Sequence, residues 1–263
     1  MNKNIFVILL MFFVQGTLSF AQKNNEKKHT VRILTFNIYH GETLKGNYDL
    51  DLFAGIIKKT SPDLVALQEV DFKTKRAKGY DLATELGQRT GMAPLFGSAM
   101  PYDGGQYGVA LLSKRSLINS NLTDLPKLNN NEPRVALMVT VATTEGDTIN
   151  FISTHFSNES EKNRILQAES INAVIQNNKY PAILAGDLNA LPGSETIKQL
   201  ENEWTPTHKK TKPAFTYPAD NPHKKIDYIM YSPANRWKVI KQKTICNPVA
   251  SDHCAYFAIL ELN

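Results

Sequence analysis

Short apolar runs separated by polar, turn-forming residues recur along the chain, and their spacing switches between a period of two and a helical one. Residues 31–37 alternate as a strand and end on Asn37. Leu52, Phe53, Ile56 and Ile57 share one face of a helix that Asp49 would cap and Ser61-Pro62 would stop. Residues 63–70 form a second apolar run that closes on a carboxylate, Glu69. Strand, helix, strand at this spacing is the alternation of an α/β protein. Residues 81–90 predict another helix, ended by Gly91. Residues 108–113 read as a strand, and 135–143 with 148–155 as a hairpin around Glu145-Gly146-Asp147. Asn158 and Glu161 resemble a capping box that opens a helix reaching about Gln176. Residues 180–184 then form a short buried strand. Gly186 is expected to let the backbone turn, and the extended spacing of Asp187 and Asn189 puts both side chains on one side. A short helix from about Ser194 and three closing strands, 226–231, 237–245 and 254–262, complete the pattern.

The 263 residues contain no linker, repeat or low-complexity run, which predicts one domain large enough to bury a core without staples. The N-terminus departs from this pattern. Lys3, an apolar stretch over residues 5–14 too short to span a bilayer, and the small residues around Ser19-Phe20-Ala21 predict a signal peptide over residues 1–21. The absence of Cys at the cleavage site argues against a lipid anchor. Residues 22–29 read as a polar lead-in and 30–263 as the domain, exported to a periplasmic or extracellular space, with no transmembrane segment in the mature chain. A monomer is expected. The net charge of +5, one less without Lys3, suits an anionic substrate and is no signature of nucleic-acid binding. Cys246 and Cys254 read as two buried free thiols, with a disulfide as the alternative that export permits.

Polar chemistry gathers at strand ends: Asn37, Glu69, His155, Asp187 with Asn189, and Asp252 with His253. Asp227 sits inside a strand, where an acid needs a partner. Singly, each has an ordinary structural reading as a turn former, surface acid or satisfied core histidine. Their joint occurrence in this order carries the functional one. The motifs are Thr35-Phe36-Asn37-Ile38, Leu67-Gln68-Glu69-Val70, residues 107–113, Ser153-Thr154-His155-Phe156, Gly186-Asp187-Leu188-Asn189, residues 225–229 and Ser251-Asp252-His253. This series resembles the endonuclease/exonuclease/phosphatase superfamily of DNase I-like, metal-dependent phosphoesterases.

The resemblance implies a four-layer α/β sandwich, two mixed sheets face to face with helices outside and the site at one end. It implies Glu69 as principal ligand of Mg²⁺ or Mn²⁺, Asn37 beside it, and Asp252 at the metal or hydrogen-bonded to its ligands. Asp187 and Asn189 would position or deprotonate the attacking water, and His155 would contact a non-bridging phosphate oxygen. His253 would be the catalytic imidazole, oriented by Asp227, with Tyr107 and Arg134 on the phosphate. Hard oxygen ligands suit Mg²⁺, and a His held by an Asp is a tuned acid or base. Tyr39 stands where many nuclease members have an acid, so the first motif looks more like the branches that cleave lipid or small phosphodiesters. The expected activity is that of a phosphodiesterase on a small or lipid-type, anionic substrate. A secreted nuclease and a catalytically silent binding module on the same scaffold are the alternatives.

Overall fold

The computed structural model describes residues 29–263 apart from 130, 145, 177, 210 and 212. The expected signal peptide, most of the lead-in and Glu145 of the expected turn lie outside the described residues. In chain order the elements are β1 (His29–Asn37), α1 (Leu50–Lys58), β2 (Leu64–Phe72), α2 (Leu82–Thr90), β3 (Ala93–Tyr102), β4 (Gly105–Ser113), β5 (Leu117–Leu125) and β6 (Arg134–Ala142). They continue with β7 (Thr148–His155), α3 (Glu161–Gln176), β8 (Ala182–Asp187), α4 (Glu195–Leu200), β9 (Thr205–Pro206), β10 (Asp227–Ser232), β11 (Trp237–Ile245) and β12 (Ala255–Leu262).

The strands form two six-stranded sheets, ordered β11-β12-β1-β2-β4-β3 and β5-β6-β7-β8-β10-β9. Each has one parallel pair near its centre, β1 with β2 and β7 with β8, and the remaining pairs are antiparallel. The sheets press together through a shared apolar layer that includes Ile33, Leu111, Phe151, Ile183 and Ile229. α1 and α2 bury Phe53, Ile57 and Leu86 against the outer face of the first sheet. α3 and α4 bury Ile171, Ile197 and Leu200 against the second. These are the four layers expected. Asp49 and Asp81 cap α1 and α2 by accepting the N–H of Leu52 and Thr84, each at 3.1 Å. Gly91 closes α2 at φ +68°. No helix among the described residues is long and apolar enough to cross a membrane.

The structure revises several local expectations. β1 starts at His29, one residue into the expected lead-in. α3 is capped by Ser160, whose Oγ accepts the Asn163 N–H at 3.2 Å, and not by Asn158. A helix takes as cap the residue three before the free N–H, and that residue is Ser160. β2 does not end at Glu69; it bulges between Leu67 and Val70 and runs on to Phe72. Gly186 lies inside β8 and does not turn the chain. A Cβ there would fall 2.1 Å from the Thr154 carbonyl oxygen, so glycine is needed because β7 comes so close. Cys246 and Cys254 form a disulfide, with Cα atoms 4.2 Å apart, because β11 and β12 pair alongside and bring them together. β3 and β5 escaped the pattern because both are edge strands. β3 carries Pro94, Gly97 and Pro101, and β5 is largely exposed and polar, so neither shows a buried run. The exposed Lys238, Lys241 and Lys243 lie on β11, another edge, where charge discourages pairing with a second chain.

Candidate active site

The polar ends of both sheets converge on one cleft of about 710 Å³. Glu69, Tyr107, Arg134, His155, Asp187, Asn189, Asp252 and His253 line it, so eight of the ten expected site residues face one space. The other two, Asn37 and Asp227, are fully buried and hydrogen-bonded to lining residues.

A line of contacts crosses from the second sheet to the first. The Asp227 carboxylate accepts from His253 Nδ1 at 3.0 Å. His253 Nε2 lies 3.7 Å from Asp187 Oδ2. Asn37 Nδ2 donates to Asp187 Oδ2 at 3.3 Å and to Glu69 Oε1 at 3.0 Å. The Tyr39 N–H donates to Asn37 Oδ1 at 3.1 Å, which fixes the amide so that its nitrogen faces the two carboxylates. Ser251 Oγ, donating to the Asn37 carbonyl at 2.8 Å, ties the His253 loop to the end of β1.

The opposite wall is built on β6 and β7. Arg134 Nη1 donates to His155 Nδ1 at 2.6 Å, which leaves the ring proton of a neutral imidazole on Nε2. Burial, then the Arg134 and His253 charges, hold His155 well below the usual histidine range, so it is neutral. Its Nε2 lies 3.5 Å from Asp187 Oδ2 and next to the Asn189 amide. Asn189 does not continue an extended strand, as the spacing suggested. It takes φ +47°, and its N–H donates back to Asp187 Oδ1 at 2.9 Å. The pair is therefore brought together by a turn of the Asx kind, and Asn189 Nδ2 is anchored on the Phe156 carbonyl at 3.0 Å. Glu69 likewise takes φ +55° at the bulge in β2, a strained conformation of the sort that accumulates at functional sites.

The electrostatics divide the carboxylates. Burial pushes Asp187, only 1% exposed, up to about 7. Burial lowers His253, but Asp227, Asp187 and Asp252 outweigh it and raise the imidazole to about 10. His253 is thus an imidazolium at neutral pH, while Asp187 is poised to exchange a proton there. A group of ligand atoms from Asp187, Asp227 and His253 lies within 4.8 Å and could hold a cation. A proton kept on His253 competes with that use. Glu69, half-buried, and Asp252 offer carboxylate oxygens to the cleft, while Asn37 turns its amide nitrogen to Glu69 and its Oδ1 to the Tyr39 N–H. Such a donor set fits a hard divalent cation.

The endonuclease/exonuclease/phosphatase family pattern matches residues 34–253, from β1 to His253. The chain belongs to this family. Among solved structures, the family member from Beutenbergia cavernae superposes with a TM-score of 0.75 at 20% identity, covering 90% of this chain and 72% of that one. A mannosyl-6-phosphatase from Bacteroides thetaiotaomicron gives 0.72 at 14% identity, over 88% and 99% of the chains. The human Nocturnin catalytic domain, with a bound sulfate, gives 0.71 at 21% identity, over 90% and 96%. At these identities the likeness is one of fold. No curated protein matches the chain.

Sequence reasoning missed several residues that line the cleft. Glu132, Asn158, Glu161 and Arg164 line the cleft from the β6 and α3 approaches, and Tyr217 and Lys224 line it near His253. Tyr217 packs its ring 4.8 Å from that of His253. Glu132, Asn158, Tyr217 and Lys224 lie in irregular segments and Glu161 and Arg164 on the first turn of α3, and it is the fold that turns them toward one space. Lys225, quoted in a motif without a role, is fully buried behind Asp227 with its Nζ 3.2 Å from the centre of the Tyr256 ring.

Proposed function

We propose that this protein is an exported, Mg²⁺-dependent phosphoester hydrolase, a phosphodiesterase acting on a small or lipid-type substrate. The observation that carries this reading is the unbroken line Asp227–His253–Asp187–Asn37–Glu69 facing the Arg134–His155 pair across one cleft. Hydrolysis of a phosphoester adds water oxygen to phosphorus, breaks the bond to the leaving oxygen, and moves a proton from the water to the leaving group. Asp187, with its raised pKa, accepts the water proton near neutral pH, and Asn189 fixes the carboxylate through its backbone N–H. Imidazolium His253, held by Asp227, supplies positive charge and a proton where the leaving oxygen becomes anionic. Neutral His155 offers its Nε2–H, and Arg134 its guanidinium, to non-bridging oxygens. Glu69 and Asp252 would hold Mg²⁺, which when bound neutralises phosphate charge, and Asn37 beside them holds the Glu69 carboxylate through its amide nitrogen.

Export is supported by the N-terminal pattern and by the disulfide, a bond of oxidising compartments. Protein from its native host should begin near Gln22 by mass spectrometry, and an intact Met1 in a cytoplasmic fraction would refute export. The activity is tested by assaying bis-p-nitrophenyl phosphate, p-nitrophenyl phosphate, sphingomyelin, phosphatidylinositol and plasmid DNA with Mg²⁺, Mn²⁺ or EDTA. We expect EDTA-sensitive hydrolysis, faster on small or lipid-type diesters than on DNA and weakly dependent on salt. Full activity in EDTA, or plasmid cleavage that collapses as salt rises to physiological levels, would overturn it.

A further inference from the structure

Beyond the phosphate-handling groups, the cleft extends along the first turn of α3, and its charge there is not that of a polyanion site. Five carboxylate side chains line the cleft against four cationic ones, Arg134, Arg164, Lys224 and the imidazolium of His253. The carboxylates are not all spent on the reacting phosphate. Glu132, raised by burial, stands 3.1 Å from Arg134 Nη2. Glu161 uses Oε1 to accept the Glu195 N–H at 3.1 Å, which joins α3 to the start of α4. Arg164, one helical turn on, donates one N–H to the Ser157 carbonyl at 3.1 Å. Its buried Nε has no hydrogen-bond partner among the described residues. Arg134 is 5% exposed, and its Nε is also buried with no hydrogen-bond partner among the described residues. Guanidinium donors with unused N–H groups, set among carboxylate acceptors, are half of a hydrogen-bonding site.

The flanking phosphates of a nucleic-acid strand would be laid against Glu132 and Glu161, where like charges repel, with too few cations to neutralise them. A neutral ligand with several hydroxyl groups satisfies both kinds of partner, because each hydroxyl donates to a carboxylate and accepts from a guanidinium. Resting on the hydrolase reading above, we propose that Glu161 and Arg164, with Glu132 and Asn158 beside them, form a leaving-group subsite. It takes a compact polyhydroxylated alcohol, a sugar or polyol carrying a single phosphoester. The substrate is then recognised at two points: the phosphate by His155 and Arg134, and its hydroxyls by the α3 turn.

The test compares kcat/KM for glycerophosphoinositol and for a hexose 6-phosphate with that for bis-p-nitrophenyl phosphate, which has no hydroxyls. The full-length mature protein is used with Mg²⁺ or Mn²⁺, in unmodified, Glu161→Gln and Arg164→Lys forms, with melting temperature read on the same preparations. In either variant the ratio of polyol ester to bis-p-nitrophenyl phosphate should fall about tenfold, the scale of one lost charge-assisted hydrogen bond. An unchanged ratio in both variants, at unchanged melting temperature, overturns the subsite. Preferential cleavage of a single-stranded oligonucleotide over both polyol esters overturns it as well. If the unmodified protein cleaves none of these esters, the hydrolase reading itself fails, an outcome distinct from a hydrolase that ignores hydroxyls.

Discussion

β1–α1–β2 and β7–α3–β8 are built alike: each pairs two parallel strands at the middle of its sheet, and each delivers polar residues to the same end of the sandwich. The first brings Asn37 and Glu69, the second His155 and Asp187. Yet the two carboxylates end in different surroundings. Glu69 sits at a bulge within β2 and remains half-exposed on the cleft, whereas Asp187 is buried beside His155 and His253. The same crossing can thus present one carboxylate to a cation and another to a proton. Burial at the last strand residue makes the difference, since a desolvated carboxylate holds its proton more tightly.

The sharpest way to break this comparison is to remove the exposed carboxylate. Glu69→Ala should reduce Mg²⁺-stimulated hydrolysis to the metal-free background, a loss of roughly a thousandfold or more if the ion contributes several kcal/mol. Its melting temperature should stay close to that of the unmodified protein, because the side chain supports little core. Unchanged stimulation by Mg²⁺ would end the assignment.

Next in size is the buried side of the comparison. His253→Ala should cost about 10²–10⁴-fold in kcat, the usual weight of acid–base catalysis, while Mg²⁺ still binds by calorimetry. Asp227→Asn should cost less, since it loosens the ring without deleting it. Equal losses of activity per folded molecule in both variants, or none, would reduce His253 to a structural residue.

The pH dependence sharpens the contrast further. The rate should rise with pH through about 7 as Asp187 ionises and fall through about 10 as His253 loses its proton. Asp227→Asn should pull the alkaline limb to lower pH, because Asp227 favours the imidazolium. For stability, the raised pKa of His253 means that its contribution is complete below about 6.5 and is lost as pH rises through about 10. The melting temperature should decline over that window, and His253→Ala should flatten the decline. A slope unchanged in the variant would locate the titration elsewhere.

The smallest effect concerns the loop that carries His253. The Cys246–Cys254 disulfide closes a short loop, worth roughly 2–3 kcal/mol on chain-entropy grounds. Replacing both cysteines by Ala should lower stability by about that amount in urea unfolding. It should lower kcat only modestly, because Ser251 also ties this loop to β1.

Much of this protein follows from the order of its residues alone. The central strands and the caps of α1 and α2 were readable because buried runs and capping residues leave local signatures. The family motifs could be read because each site residue sits at or next to the end of such a run. Asn158 was read as the cap in place of Ser160 because polar residues two positions apart can both serve as caps, and only the helix's first free N–H groups choose between them. Tertiary structure alone decided the rest. The edge strands β3 and β5 are only partly buried, so neither carries a continuous apolar run to give a pattern. The disulfide depends on the pairing of β11 with β12, which local spacing leaves open. The bulge at Glu69, the turn at Asn189 and the close approach that requires Gly186 arise from neighbouring strands, not from the residues' own preferences. Above all, which carboxylate is buried and which faces the cleft is set by how the two sheets meet, because desolvation is a property of the assembled surroundings.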